Sequence, residues 1–166
     1  MKHLLITYID PSEINNHVDP DFKNLVYGDV KDRGYVLLNN LSEGSYVFFN
    51  TKIGDKRYIT GYYYFGKLLL KGRDNKEISQ LTSDAKTDEV ILIGDRVKSK
   101  ILTKPLLLDK ELMIKLKSLK ADEKYFEDKL NENKTELAAI NYKTRTHRKL
   151  SDRDKDFLLQ LCENRG

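Results

Sequence analysis

Tryptophan is absent from this chain of 166 residues, cysteine occurs once, and histidine and proline three times each. The lone Cys162 excludes an internal disulfide framework and fits a reducing compartment. One Cys and three His are too few for a zinc cluster, and the acids near His17 match no zinc or calcium spacing. No apolar run approaches the roughly 20 residues that span a bilayer. The N-terminal apolar stretch is too short for the core of a signal peptide and reads as a first strand. The expectation is therefore a cytoplasmic protein with no membrane partner. No G-x-S-x-G occurs, and Gly28, Gly54 and Gly94 form no phosphate-binding loop of either common type. Cys162, beside the apolar face of a terminal helix, reads as inert filling. No catalytic residue, cofactor or metal is assigned.

What is present is a composition of 39% hydrophobic and 34% charged residues, that of a globular chain able to bury one real core. A single domain over residues 1–166 is expected, beta-rich first and helical from about residue 109. The formal net charge is +4, and its placement says more than its size. Between Glu136 and Asp152 there is no acid, yet Lys143, Arg145, Arg148 and Lys149 fall there with His147 among them. Such a local patch fits phosphate contact or, equally, a solvated linker.

The stretch from Gly44 to Gly72 organises the rest. Two runs rich in aromatic and β-branched residues flank the turn Ile53-Gly54-Asp55-Lys56, a hairpin signal. Strict alternation in the second run puts Tyr58, Thr60, Tyr62 and Tyr64 on one face and Ile59, Gly61, Tyr63 and Phe65 on the other. Gly61, among so many rings, marks either a bend in a curved sheet or a place of close backbone approach.

Around this hairpin, residues 2–9 read as a central strand and residues 10–33 as a long polar connection. That connection contains Asn15, Asn16, His17, Asp19, Asp21, Asp29 and Arg33. Gly34 to Leu41 reads as a strand or strand end, Val90 to Ile93 as a short buried strand, and Val97 to Leu102 as a strand or turn. Asp109 is placed to cap a helix carrying Leu112, Leu116 and Leu119, and a second helical run carries Tyr125, Phe126, Leu130 and Leu137. Ser151 opens a third.

Two acid–lysine triplets, Asp84-Ala-Lys86 and Glu127-Asp-Lys129, have the local form of a metal nuclease but sit on no predicted strand with an acid suitably upstream. Aromatic residues beside basic groups remain. Bases stack on flat rings while Lys and Arg hold phosphates. The 10 Tyr and 6 Phe concentrate on the hairpin. Asn50 or Asn39 offers both donor and acceptor to a base edge, and Lys98, Ser99 and Lys100 follow the Gly94-Asp95 turn as phosphate contacts.

Taken in order, several segments resemble the nucleotide-modification-associated domains, PUA-like proteins akin to the EVE, ASCH and YTH groups. They are His17-Val-Asp-Pro-Asp-Phe22, Tyr27-Gly-Asp29, Leu41-Ser-Glu-Gly-Ser-Tyr-Val-Phe-Phe49 and Tyr58-Ile-Thr-Gly-Tyr-Tyr-Tyr-Phe65. Ile93-Gly-Asp95 with Lys98-Ser99, and Arg145-Thr-His-Arg148, continue the likeness over most of the chain. The resemblance implies an α+β fold with a small, curved, partly closed beta barrel and surrounding helices. It implies DNA or RNA as partner, a modified or flipped base being held among rings. On this chain the implied pocket residues are Tyr27, Asn50, Tyr62 and Tyr64, with Arg33, Arg145 and Arg148 on the backbone; the charge pattern itself adds Lys98, Ser99, Lys100 and His147 as candidate backbone or phosphate contacts. His17, Asp19 and Asp29 would shape the long loop or touch the ligand. A tryptophan cage like that of the YTH readers is missing, and so is the lysine-rich pattern of some ASCH-like enzymes. Two other readings stand beside this one: an enzyme on a nucleotide or modified base using His17, Asp19, Asp21 or Asp29, and a protein-interaction module of a nucleic-acid processing or defence complex.

Overall fold

The computed structural model describes residues 2–13 and 17–166, so Asn15 and Asn16 of the polar connection lie outside the described residues. Among these the chain is α+β, with seven strands and six α-helices. The first half runs β1 (His3–Thr7), β2 (Val26–Asp29), α1 (Lys31–Asn40), β3 (Tyr46–Ile53), β4 (Lys56–Leu70) and α2 (Asn75–Ser79). The second runs β5 (Val90–Gly94), β6 (Lys100–Leu107), α3 (Lys110–Lys115), α4 (Glu123–Asn131), α5 (Glu136–Thr144), β7 (Arg148–Leu150) and α6 (Asp152–Cys162).

The strands join one sheet in the order β2-β5-β4-β3-β1-β7, with β6 also on β4. As its apolar middle requires, β1 is internal, parallel to β3 on one side and antiparallel to β7 on the other. The long β4 is shared. Its first half pairs with β3 and β6, and its second half with β5. Side chains alternate across the sheet. Leu5 and Phe48 pack with the helices that follow β6, whereas Leu4, Ile6, Val47 and Phe49 pack toward β2 and α1.

Strict alternation along β4 fails twice, at Thr60 against β3 and at Gly66 against β5. Phe49 opposes Gly61 while the next residue, Asn50, opposes Ile59, so Thr60 is an extra residue on β4. A bulge of one residue reverses the faces beyond it. Ile59 therefore packs in the cluster of Phe48 and Tyr62 rather than with Tyr63. Gly61 sits beside this bulge, and a Cβ there would lie 2.8 Å from the Lys100 carbonyl oxygen of β6. Both readings of that glycine meet at one place.

Two stretches differ from the sequence expectation. Gly34 to Leu41 is not a strand but the body of α1, with Gly34 and Leu37 buried three residues apart on one face. Gly34 is a contact residue: a Cβ there would sit 3.3 Å from the Asp29 carbonyl oxygen. The polar connection also hides a strand. All four residues of β2 are buried and pair with β5, although half of them are Gly28 and Asp29. Further on, the second helical run breaks into α4 and α5, the latter capped by the Thr135 hydroxyl, which accepts from Ala138 N at 3.0 Å. Asp109 and Ser151 cap α3 and α6 as their positions require.

Candidate nucleic-acid interface

The short segment from Thr144 to Arg148 connects two chemically different surfaces. At its start, Thr7 Oγ1 donates to the Thr144 carbonyl at 2.6 Å, tying the end of α5 to the end of β1. At its end, Arg148 enters β7 opposite Leu5. Between them the chain turns His147 toward β2. His147 Nε2 is hydrogen-bonded to Asp29 Oδ2 at 2.6 Å, and the Tyr27 hydroxyl lies 3.5 Å from the same nitrogen. The His147 and Asp29 side chains are only 3% and 10% exposed. Tyr27 also packs on Phe49, and burial, then the Asp29 charge, raises its hydroxyl pKa well above the usual value. No enclosed side-chain nitrogen or oxygen lacks a partner among the described residues. His147 Nδ1 makes no hydrogen bond among the described residues.

A carboxyl pair adjoins this triad. Gly28 N donates to Asp19 Oδ1 at 3.2 Å, and the Asp88 carboxyl, hydrogen-bonded to that of Asp19, packs against the Gly28 Cα, where a Cβ would collide with Asp88 Oδ2. Burial, and the closeness of each to other carboxylates, raises the pKa of both Asp19 and Asp88. Two carboxyls held this way share a proton rather than ionise together. Arg33, exposed in the first turn of α1, is near enough to oppose the rise at Tyr27.

The other surface is cationic and aromatic. Half-exposed Tyr142 of α5 is flanked by Lys129 Nζ at 4.7 Å and the Arg145 guanidinium at 4.6 Å from its ring centre. Lys143 Nζ lies 4.7 Å from the ring centre of Tyr125. Burial lowers the Lys143 pKa, and the charges of Arg148, Lys120 and Lys129 lower it further. Five cations thus gather around two rings, with Glu132 ion-paired to Lys129 at 3.4 Å and Asp122 near Lys143 as the acids beside them, and an anionic chain would relieve the remaining repulsion. Arg148 is held in place by donating to the Leu119 carbonyl at 3.4 Å.

The structure unites Tyr27, Asp19, Asp29, Arg33 and His147 in one place, with Arg145 and Arg148 three residues or fewer along the chain. It puts the other expected residues elsewhere. Asn50 is fully buried; its amide oxygen accepts from Arg57 and Thr7, and its nitrogen donates to the Ile6 carbonyl. No edge is left for a base. Tyr62 and Tyr64 face the α6 side around Tyr46, on the opposite face of β4 from Tyr63. Lys98 lies over Tyr64, Ser99 Oγ accepts from Tyr64 N, and Lys100 caps the end of α6 through the Cys162 and Glu163 carbonyls. No ring contact or hydrogen bond among the described residues joins that group to Arg145. His17 is exposed and 4.0 Å from Asp84. Asp21 accepts from Ser83 and Asn24, which fastens the loop ahead of β2.

Sequence reasoning passed over Lys120 and Tyr142, and it weighed Lys129 only in a nuclease triplet and Tyr125 only as part of a helical run. Their signal was available in part: Tyr125 and Lys129 are four apart, and Tyr142 and Arg145 three apart, each pair on one helical face. Asp88 gave no signal, because only the fold brings it against Gly28.

No family model matches the chain. No curated protein matches it either. Among solved structures, the chain is similar to human THYN1 protein in complex with 5-methylcytosine-containing DNA, at 13% identity and a TM-score of 0.47 over 99% of both chains. It is also similar to the N-terminal domain of Thermococcus gammatolerans McrB bound to m5C DNA, at 9% identity and a TM-score of 0.45 over 99% of this chain and 98% of the other. A further structure, the DUF55 domain of human thymocyte nuclear protein 1, gives 13% identity and a TM-score of 0.45 over 98% of this chain and 99% of the other. Among the described residues, no helix is long and apolar enough to cross a membrane.

Proposed function

We propose that this chain is a nucleic-acid-binding domain that holds the phosphate backbone on the α4–α5–β7 surface and presents a base to Tyr27, Asp29 and His147. The observation that carries this reading is the Arg145–His147 link, which leads directly from the cation cluster to the buried triad. Cations at Lys120, Lys129, Lys143, Arg145 and Arg148 supply the sequence-independent attraction. Tyr142 offers a ring on which an exposed base can stack. His147 Nδ1 offers one polar atom to the edge of a base that has left its stack. Extruding a base from a duplex costs a few kcal/mol, least where it is unpaired or altered, so a modified or flipped base is the favoured ligand. The same reading makes the curved sheet PUA-like and partly closed, with the chain from 1 to 166 as one domain.

The test is fluorescence anisotropy at low salt with matched oligonucleotides. The set comprises duplex and single-stranded DNA, with and without 5-methylcytosine, and the corresponding RNA. Binding to at least one polymer is expected, with His147→Ala reducing preference for the modified base more than overall affinity. Absence of binding to every member of the set at low salt would overturn the proposal.

A further inference from the structure

A second polar site lies beside the turn of the β3–β4 hairpin, against the start of α5. Arg57 is 8% exposed there and makes no ion pair among the described residues. Its Nε donates to Asn141 Oδ1 at 2.9 Å and its Nη1 to Asn50 Oδ1 at 2.9 Å, both neutral amides. Nη2 makes no hydrogen bond among the described residues. Arg57 lines an open cleft of about 420 Å³. The volume falls within the usual range for small-ligand sites.

The cleft has three kinds of wall. The start of α5, a helix of nine residues, contributes Glu136 and Leu137. The Thr135 hydroxyl satisfies Ala138 N, which leaves the N–H groups of Glu136 and Leu137 without an intrahelical acceptor. Those N–H groups and Nη2 of Arg57 both call for an anionic oxygen. Leu107, Leu137 and Ile140 make an apolar wall. Asp55, Asp109 and Glu136 bring three carboxylates to the same cleft, against one further cation, Lys56. A guanidinium so deeply enclosed with only neutral partners lacks the counter-charge that normally offsets its desolvation. The nearby acids do not supply it, since none is paired with Arg57. They also disfavour a doubly charged phosphate and favour a ligand that carries a positive group of its own.

We infer that the Arg57 cleft binds a small zwitterion with an apolar side chain, of free amino-acid type. The carboxylate meets Arg57 and the start of α5, the apolar portion meets Leu137 and Ile140, and the ammonium meets the rim carboxylates. Arg is suited to the first task because its planar fork matches a carboxylate. The site is independent of the proposed nucleic-acid face, so failure of either leaves the other standing.

The experiment is calorimetric titration of the full chain with four probes: L-leucine, 4-methylpentanoate, isoamylamine and inorganic phosphate. Leucine is expected to bind most tightly, 4-methylpentanoate more weakly, and isoamylamine not at all. Arg57→Gln should weaken leucine by about tenfold or more, the cost of losing a hydrogen-bonded charge. Leu137→Trp, which fills the cleft without touching Arg57, should abolish binding and serves where Arg57→Gln fails to fold. Glu136→Gln should weaken leucine while sparing 4-methylpentanoate. Silence from both carboxylates, equal leucine binding by the Leu137→Trp variant, or tighter binding of phosphate than of leucine would each overturn the assignment.

Discussion

Replacing Lys120, Lys143 and Arg145 together by glutamine gives the most direct trial of the proposed nucleic-acid face. Lys120 and Arg145 are exposed, and Lys143 is crowded by Arg148, Lys120 and Lys129. None of the three makes an ion pair among the described residues, so their loss leaves no acid stranded. Removing mutual repulsion should leave thermal stability equal or slightly higher. Each cation that meets a phosphate on a B-form duplex releases counterions and contributes about 0.9 to the slope of log affinity against log salt. Three lost contacts therefore flatten that slope by about 2.7. Between about 50 and about 200 mM salt, wild-type affinity should fall about 40-fold further than that of the variant. The assay is anisotropy across a salt series with one duplex. Parallel lines for the two proteins, with slopes agreeing to within about 0.5, would refute the claim that these side chains meet phosphates.

Tyr142→Ala should weaken single-stranded binding by about tenfold, because stacking on one ring is worth about 1–3 kcal/mol per base. Its melting temperature should stay nearly constant, since the ring is 52% exposed. Gly28→Ala should destabilise by about 1–3 kcal/mol, read from a denaturant midpoint, because the new methyl has no room. Its Cβ would lie 2.9 Å from Asp88 Cβ and 3.0 Å from Ala85 Cβ, neither of which can swing away. The Asp19–Asp88 pair fixes a pH dependence. Both pKa values are raised, so the folded state holds protons that the unfolded chain releases above its ordinary value of 3.8. This contribution to stability therefore falls as pH rises above that value toward the raised ones. Asp88→Asn should flatten the decline between about pH 5 and about pH 8 in melting curves, and an unchanged decline would rule out the shared proton.

The sequence by itself determined much of the local order. The hairpin and its tight turn, the central first strand, the caps at Asp109 and Ser151 and the acid-free basic segment follow from propensity, periodicity and charge, which act over a few residues. It also brought Tyr27, Asp29, His147 and Arg145 forward as individual candidates. Their meeting was a matter of tertiary structure, since His147 and Asp29 are 118 residues apart and only the docking of α5 onto β1 closes that distance. Tertiary structure also took Asn50, Tyr62 and Tyr64 away from that place. A bulge at Thr60 reset which hairpin faces look inward, and Arg57 claimed the Asn50 amide. The alternation of a strand names two faces but not which one the rest of the chain will cover; that is settled by what packs there.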